Sequence, residues 1–353
     1  METYTIQEWL FKTAHGKYEI DLAESGVQFQ KVSDIHIEQD WILDYSTDRG
    51  QLELRKKVAA LYSGKNENNV IITHGGQEAL YLYYQSTLKK GDHVITVIPG
   101  WQQSWEVPRH IGATVSTIVW EPGESFPVAQ LNDAFTDKTK LLILNSPSNP
   151  LGTVIAHDQW LSIVENCQVR GVTLLNDEEY LTDFTGSVVS RFSNSVSVSG
   201  LSKVFGLPAL RIGWAVADEA VIEAMVNYKR YTSVSNSLLC ENIAIAALER
   251  ADENIARYQG FLKTGYSHLK AFSDRHQDKL GLVEPENTPF AWFKLKTEIS
   301  SMAFAERLLS EQKMLVMPAE VFGFEKGIRV TYARDTAKLE DGFGRLSNLL
   351  NTI

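Results

Sequence analysis

The sequence predicts an α/β protein, with a mostly parallel seven-stranded sheet in a large unit and a smaller α+β unit after it. Three observations carry this. Short, β-branched apolar runs alternate with helical patterns between about residues 50 and 217, as they do where helices connect parallel strands. The runs are apolar enough to be buried on both faces. After Ala217 the pattern changes to long helices followed by short mixed elements.

The strand runs are Val70–Thr73, His93–Val97, Thr114–Val119, Leu141–Asn145, Val172–Asn176, Ser195–Ser199 and Ile212–Val216. Amphipathic stretches at Leu52–Tyr62, Gln77–Leu88, Val128–Phe135 and Gln159–Val169 read as helices between them. Beyond Ala217, helices are expected at Glu219–Tyr231, Ser237–Ala251 and Asn254–Arg275, with a long helix near 220–260 bridging the two units. The rest reads as strands Leu280–Val283 and Ala291–Leu295, helix Ala303–Gln312, strands Leu315–Met317 and Ile328–Tyr332, and helix Lys338–Leu349.

Composition narrows the function classes. With 353 residues, 44% of them hydrophobic, the chain can bury a large core. Its 34 Lys+Arg against 44 Asp+Glu give a net charge of −10, which argues against nucleic acid and anionic membrane surfaces as partners. Two cysteines, Cys167 and Cys240, offer neither a disulfide framework nor metal-ligand spacing, and both are expected to be buried. The first residues lack a basic region followed by an apolar core, and no run is long enough to span a membrane. The expectation is a metal-free cytoplasmic protein.

The most informative string is Gly200-Leu-Ser-Lys-Val-Phe-Gly-Leu-Pro-Ala-Leu-Arg-Ile-Gly-Trp214. Lys203 follows an apolar strand, and Arg211 stands eight residues on, past a Gly-x-Pro turn. Open α/β sheets bind ligands at the carboxyl ends of their strands. A lysine there can bond covalently to a carbonyl, and an arginine can fork onto a phosphate. Asp177-Glu-Glu-Tyr180 ends another strand, and His74-Gly-Gly-Gln77 joins a strand to a helix where backbone N–H groups can meet a phosphate. Further motifs are Asn145-Ser-Pro-Ser-Asn-Pro-Leu-Gly152, Pro99-Gly-Trp101, Tyr45-x4-Gly50, Pro318-Ala-Glu-Val-Phe-Gly323 and Gly327-Ile-Arg329-Val-Thr-Tyr332.

These strings, in this order, resemble the fold-type I pyridoxal-phosphate (PLP) enzymes of the class I/II aminotransferase superfamily, which are aspartate-aminotransferase-like in fold. The resemblance implies the cofactor pyridoxal 5′-phosphate, with Lys203 as its covalent holder and Arg211, Ser202 and the backbone of Gly76 and Gln77 around its phosphate. It makes Asp177 the partner of the pyridine nitrogen, Tyr180 and Asn149 the contacts of the 3-oxygen, and Trp101 the stacking ring. Tyr45 would reach the phosphate of a neighbouring subunit, making an obligate homodimer with shared active sites. Arg329 would clamp a substrate carboxylate. It also implies an N-terminal segment at 1–44 joining the small domain and the active site, a large cofactor domain at 45–250 and a small domain at 251–353. One departure is Gly200, where the family often has Ser or Thr for the phosphate; Ser199 or Ser202 could compensate.

Within the superfamily the chain resembles most the PLP-dependent cyclases that form capreomycidine and L-enduracididine. The strings are Ser25-Gly-Val27, Thr73-His-Gly75, Glu78-Ala-Leu-Tyr-Leu82 and Lys203 to Trp214. This implies a hydroxy-L-arginine substrate, γ-hydroxylated by preference, closed by its own guanidine after loss of water. Ser25 and Gly26 are then implied as substrate-binding residues, Glu24, Glu8 and Asp21 around them are candidates for the guanidinium, and His74 and these acids for taking its proton. An ordinary aminotransferase using a 2-oxo acid fits every cofactor residue equally.

Overall fold

The computed structural model describes residues 1–35, 37–38 and 40–353. Strand β1 is short, Ile20–Asp21, and its partner lies far along the chain. The apolar runs then form β2 (Val70–His74), β3 (His93–Ile98), β4 (Thr114–Val119), β5 (Thr139–Asn145), β6 (Thr173–Asp177), β7 (Ser195–Gly200) and β8 (Ile212–Val216). They build one seven-stranded sheet in the order β2-β8-β7-β6-β5-β3-β4. Alternate residues of each strand enter different cores. Val70 and Ile72 pack into one and Ile71 into the other, all fully buried. Each such side chain contributes roughly 1.5–3 kcal/mol, and helices cover both faces. The fold is therefore α/β with a mostly parallel seven-stranded sheet, as the sequence predicts.

One strand is reversed. β8 runs antiparallel to both β2 and β7, whereas the other neighbours are parallel. β2 and β7 therefore point the same way. The carboxyl ends of β2, β3, β5, β6 and β7 share one edge of the sheet with the start of β8. That edge carries His74, Ile98, Asn145, Asp177, Gly200 and Ile212.

The second sheet contains β9 (Leu280–Val283) and β10 (Phe290–Leu295). Strand β11 (Met314–Leu315) pairs with β1 instead, Ile20 beside Met314 and Asp21 beside Leu315. Then β12 (Met317–Pro318) and β13 (Ile328–Thr331) complete the four-stranded antiparallel order β12-β13-β10-β9. The single run expected at Leu315–Met317 is thus two strands in two sheets.

Three further elements depart from the sequence reading. Helix Gln103–Ile111 was not expected, because Pro108 lies inside it. The three helices expected after Ala217 form, as Glu219–Lys229, Leu238–Glu249 and the 25-residue Ala251–Arg275, but none of them runs through 220–260 as a bridge. Residues Thr5–Gln7 and Glu8–Ala14 coil into consecutive α and π turns. They bury Ile6 and Trp9, whose indole N–H donates to the Val316 carbonyl at 2.9 Å. Cys167 is buried, but Cys240 is only half-buried. Among the described residues no helix is long and apolar enough to cross a membrane, and no cluster of ligands suits a metal ion.

Candidate active site

Lys203 lies just past β7, in the loop that doubles back into the reversed β8. Its Nζ donates to Glu24 Oε1 at 2.9 Å, with both side chains about three-quarters buried. Burial works to raise the Glu24 carboxyl, but the Lys203 ammonium overrides it, helped by Arg334 and Arg329, and holds it down at about 2. Burial likewise works to lower the Lys203 ammonium; Glu24, Tyr180 and Glu179 outweigh it and keep it above its ordinary value. Glu24 Oε1 also accepts the Gly26 N–H at 2.9 Å, which fixes the short turn beside the lysine.

Asp177 closes β6. Its carboxyl is pushed well above the usual range, first by burial and then by the charge of Glu179. Tyr180 is buried edge-on against Phe290 at 5.1 Å. Burial raises its phenol to about 12. Asn149 accepts from Arg329 Nη1 at 2.6 Å through Oδ1, which leaves its amide N–H groups free to donate. Arg329 lies between the rings of Phe290 and Phe322, each 5.1 Å away, and its Nη2 donates to the Ala23 carbonyl. Its Nε is buried and, among the described residues, has no hydrogen-bond partner.

At the end of β2, Gly75 takes a φ of +75°, which glycine adopts without strain. The helix Gly76–Thr87 starts there, against Arg211. Gly213 of β8 packs directly on this turn: a Cβ there would come within 2.5 Å of the Gly76 nitrogen.

A cavity of about 320 Å³ opens over this sheet edge. Of the residues the sequence singled out, Lys203, Asp177, Tyr180, Gly76, Gln77, Trp101, Asn149, Ser202, Arg211 and Arg329 line it. So do Asp21, Glu24 and Ser25 on the N-terminal segment. Four others are placed elsewhere. Glu8 lies outside the cavity wall and pairs with Lys12 at 2.9 Å, because the π turn carries it to the surface. His74 faces Glu78 at 3.1 Å, held by the same helix start that aims Gly76 inward. Gly26 backs the lysine loop, where a Cβ would lie 3.1 Å from the Ser202 carbonyl. Tyr45 is 88% exposed on the surface. Of the two serines near Gly200, Ser202 lines the cavity, whereas Ser199 donates to the Glu178 carbonyl.

Sequence reasoning missed other residues. Ile6, Gln7, Leu10 and Phe11 form one wall. The i, i+4 pair Ile6 and Leu10 was the available signal, spread over too few turns to stand out. Arg334 is buried and donates to the Gly26 carbonyl at 2.6 Å. Glu179 enters the cavity beside Asp177, although one residue of a short acidic string gives no hint of that.

The sequence matches the class I and II aminotransferases over residues 15–346. The chain belongs to this family. Its relatives include the aspartate aminotransferase of Thermotoga maritima, 26% identical over 87% of this chain and 84% of that protein. The capreomycidine synthase of Streptomyces vinaceus is 27% identical over 86% of this chain and 80% of its own length. A PLP-dependent aminotransferase from Streptococcus suis has the same fold, with a TM-score of 0.94 at 23% identity over 99% and 98% of the two chains. So has the PLP-dependent cyclase OrfR, with a TM-score of 0.93 at 24% identity over 100% and 98%.

The cofactor of such an aminotransferase-fold enzyme is pyridoxal phosphate, and the residues present fit it. The cavity holds a carboxyl, Asp177, that burial and Glu179 keep from ionising readily, and a protonated ring nitrogen is the cation it lacks. Arg211 and the helix start at Gly76 and Gln77, where the Gly75 turn brings the backbone against the guanidinium, form a cradle of donors suited to a phosphate. Lys203 is within the same cavity.

Proposed function

We propose that the protein is a PLP-dependent cyclase that converts a hydroxy-L-arginine, the γ-hydroxy form by preference, to a cyclic guanidino amino acid such as L-enduracididine. The observation that carries this is the pair of acids on the N-terminal segment, Asp21 and Glu24, which line the same cavity as the cofactor residues. Lys203 is the nearest counter-charge to Glu24, with Arg334 and Arg329 adding to it; with the Lys203 nitrogen held by the cofactor, the Glu24 carboxylate would line the cavity short of that one cation. A guanidinium supplies that charge. The similarity to capreomycidine synthase supports the same substrate class.

Bound PLP supplies an electron sink for a deprotonated Cα. Arg329 binds the substrate carboxylate, and Asn149 holds the arginine in place. The Lys203 amine takes the Cα proton, and Asp177 keeps a proton on the ring nitrogen. With a γ-hydroxyl, a Cβ proton is lost, water leaves Cγ, and an internal guanidine nitrogen closes a five-membered ring. With a β-hydroxyl, water leaves Cβ and the ring is six-membered, as in capreomycidine. In both cases the product is the substrate less one water, and no amino group is transferred. The enzyme is proposed as a cytoplasmic homodimer in which Tyr45 reaches the phosphate bound by the other subunit; its exposure suits that role.

Similarity to aspartate aminotransferases at nearly the same identity favours a second reading, transfer of an amino group to a 2-oxo acid. Mass spectrometry of products from β- and γ-hydroxyarginine separates the two. The cyclase gives a product lighter by one water and leaves PLP unchanged. If neither substrate is consumed while simple amino acids convert PLP to pyridoxamine phosphate, the aminotransferase reading stands.

A further inference from the structure

Glu179 is the acid that the cofactor roles leave without a task. It stands two residues after Asp177, and its carboxylate turns back toward the helix start at Gly76. A Cβ on Gly76 would collide with Glu179 Oε1. Burial raises the Glu179 carboxyl above its ordinary value, while Lys203, Arg211 and the bond from the Gly76 backbone N–H pull the other way and favour its charged form. Glu179 Oε2 is buried and, among the described residues, has no hydrogen-bond partner. A carboxylate therefore lies among the donors that suit a phosphate.

Gly200 makes room for it. A Cβ there would stand 3.3 Å from Glu179 Oε1 and only 2.9 Å from the Ile212 carbonyl. The position that could carry a phosphate-binding hydroxyl is thus bare, and the space beside it holds an acid. Two anions cannot share one set of donors without repulsion.

We propose that Glu179 is a built-in competitor for the phosphate cradle formed by Gly76, Gln77 and Arg211, so that the cofactor phosphate binds only by displacing its carboxylate. Glu179 thereby weakens cofactor retention relative to a site with a neutral residue. It also helps return the cradle to a filled, charge-balanced arrangement when the phosphate leaves. The inference concerns cofactor binding alone and holds for either reaction.

The test measures binding rather than turnover. Glu179→Gln keeps the shape and removes the charge. Pyridoxal phosphate is titrated into cofactor-stripped protein and followed by quenching of tryptophan fluorescence. Inorganic phosphate is titrated separately as a competitor. Glu179→Gln is expected to bind both about 10-fold more tightly or better, the scale of one like charge removed beside an anion. Arg211→Gln is expected to weaken both ligands in either background. A crystal structure with the cofactor bound is expected to show the Glu179 carboxylate turned out of the cradle. Unchanged affinity in Glu179→Gln overturns the proposal. So does a carboxylate that keeps its place beside a bound phosphate. An Arg211→Gln protein that binds phosphate normally shows that the cradle lies elsewhere and overturns it as well. Thermal melting of each variant shows that the protein measured is folded.

Discussion

Lys203 and Glu24 hold each other charged, and this sets the terms on which the lysine can react. Attack on a carbonyl needs the neutral amine, and Glu24 is the largest influence keeping the ammonium above its ordinary value against burial. Glu24→Gln leaves burial to act and lowers that value. Covalent loading of PLP at pH 8, followed by its yellow absorbance in a stopped-flow instrument, is expected to be faster in the variant, by about 10-fold for each pKa unit lost. Equal rates would show that Glu24 does not govern the lysine. The same pair shapes acid stability. The Glu24 carboxyl falls from an ordinary 4.5 to about 2 in the folded protein. Its contribution is therefore fully present above pH 4.5 and lost as pH falls toward 2. Melting temperatures over that window are expected to fall more steeply in the wild type than in Glu24→Gln. Asp177 behaves in the opposite way, since its carboxyl is raised by burial and by Glu179. In Asp177→Asn the folded protein is expected to melt no lower at neutral pH, while turnover drops by orders of magnitude because the ring nitrogen loses its partner. Near-normal turnover would place the electron sink elsewhere.

At the scale of elements, the turn at Gly75–Gly76 depends on its neighbour strand more than on its own sequence. Gly213→Ala puts a methyl group against the Gly76 nitrogen and Gly75 backbone, and neither can yield as a side chain would. The expected outcome is weaker phosphate binding together with a lower melting temperature, from about 1–3 kcal/mol of overpacking. A variant that melts and binds like the wild type would mean that the turn is freer than its packing implies. Gly213 also illustrates what could be read beforehand. The strings around Lys203, Asp177 and Asn149 place residues at strand ends, and strand ends are legible from short apolar runs. The wall formed by Ile6, Leu10 and Phe11 was not legible, since so short a stretch of mixed α and π turns has little periodicity. Glu8 shows the converse. It is close in sequence to the acids that line the cavity, but the π turn rotates it outward to Lys12. Helix Gln103–Ile111 was hidden by Pro108, which helix rules discourage and the packing of Trp105 and Val107 tolerates.

At the scale of the whole molecule, the surface position of Tyr45 bears on assembly. If Tyr45 serves the other subunit's site, mixing inactive Tyr45→Phe and Lys203→Ala proteins is expected to restore activity. Each heterodimer then has one site free of both substitutions. A fully active monomer by light scattering would exclude this sharing.

The pairing of β1 with β11 has a consequence for how the enzyme is made. The carbonyl of Ala23 and the guanidinium that binds it are separated by 306 residues. At about 5–20 residues per second, synthesis of that stretch takes on the order of 15–60 s. For most of that time the Leu22 backbone lacks Leu315 and Thr331, and the Trp9 indole lacks the Val316 carbonyl, which they bond in the finished protein. Lys203 and Asp177 are both synthesised before Arg329. The nascent chain thus carries Lys203, the proposed holder of the cofactor, for some seconds before Arg329, the proposed clamp for the substrate carboxylate, exists.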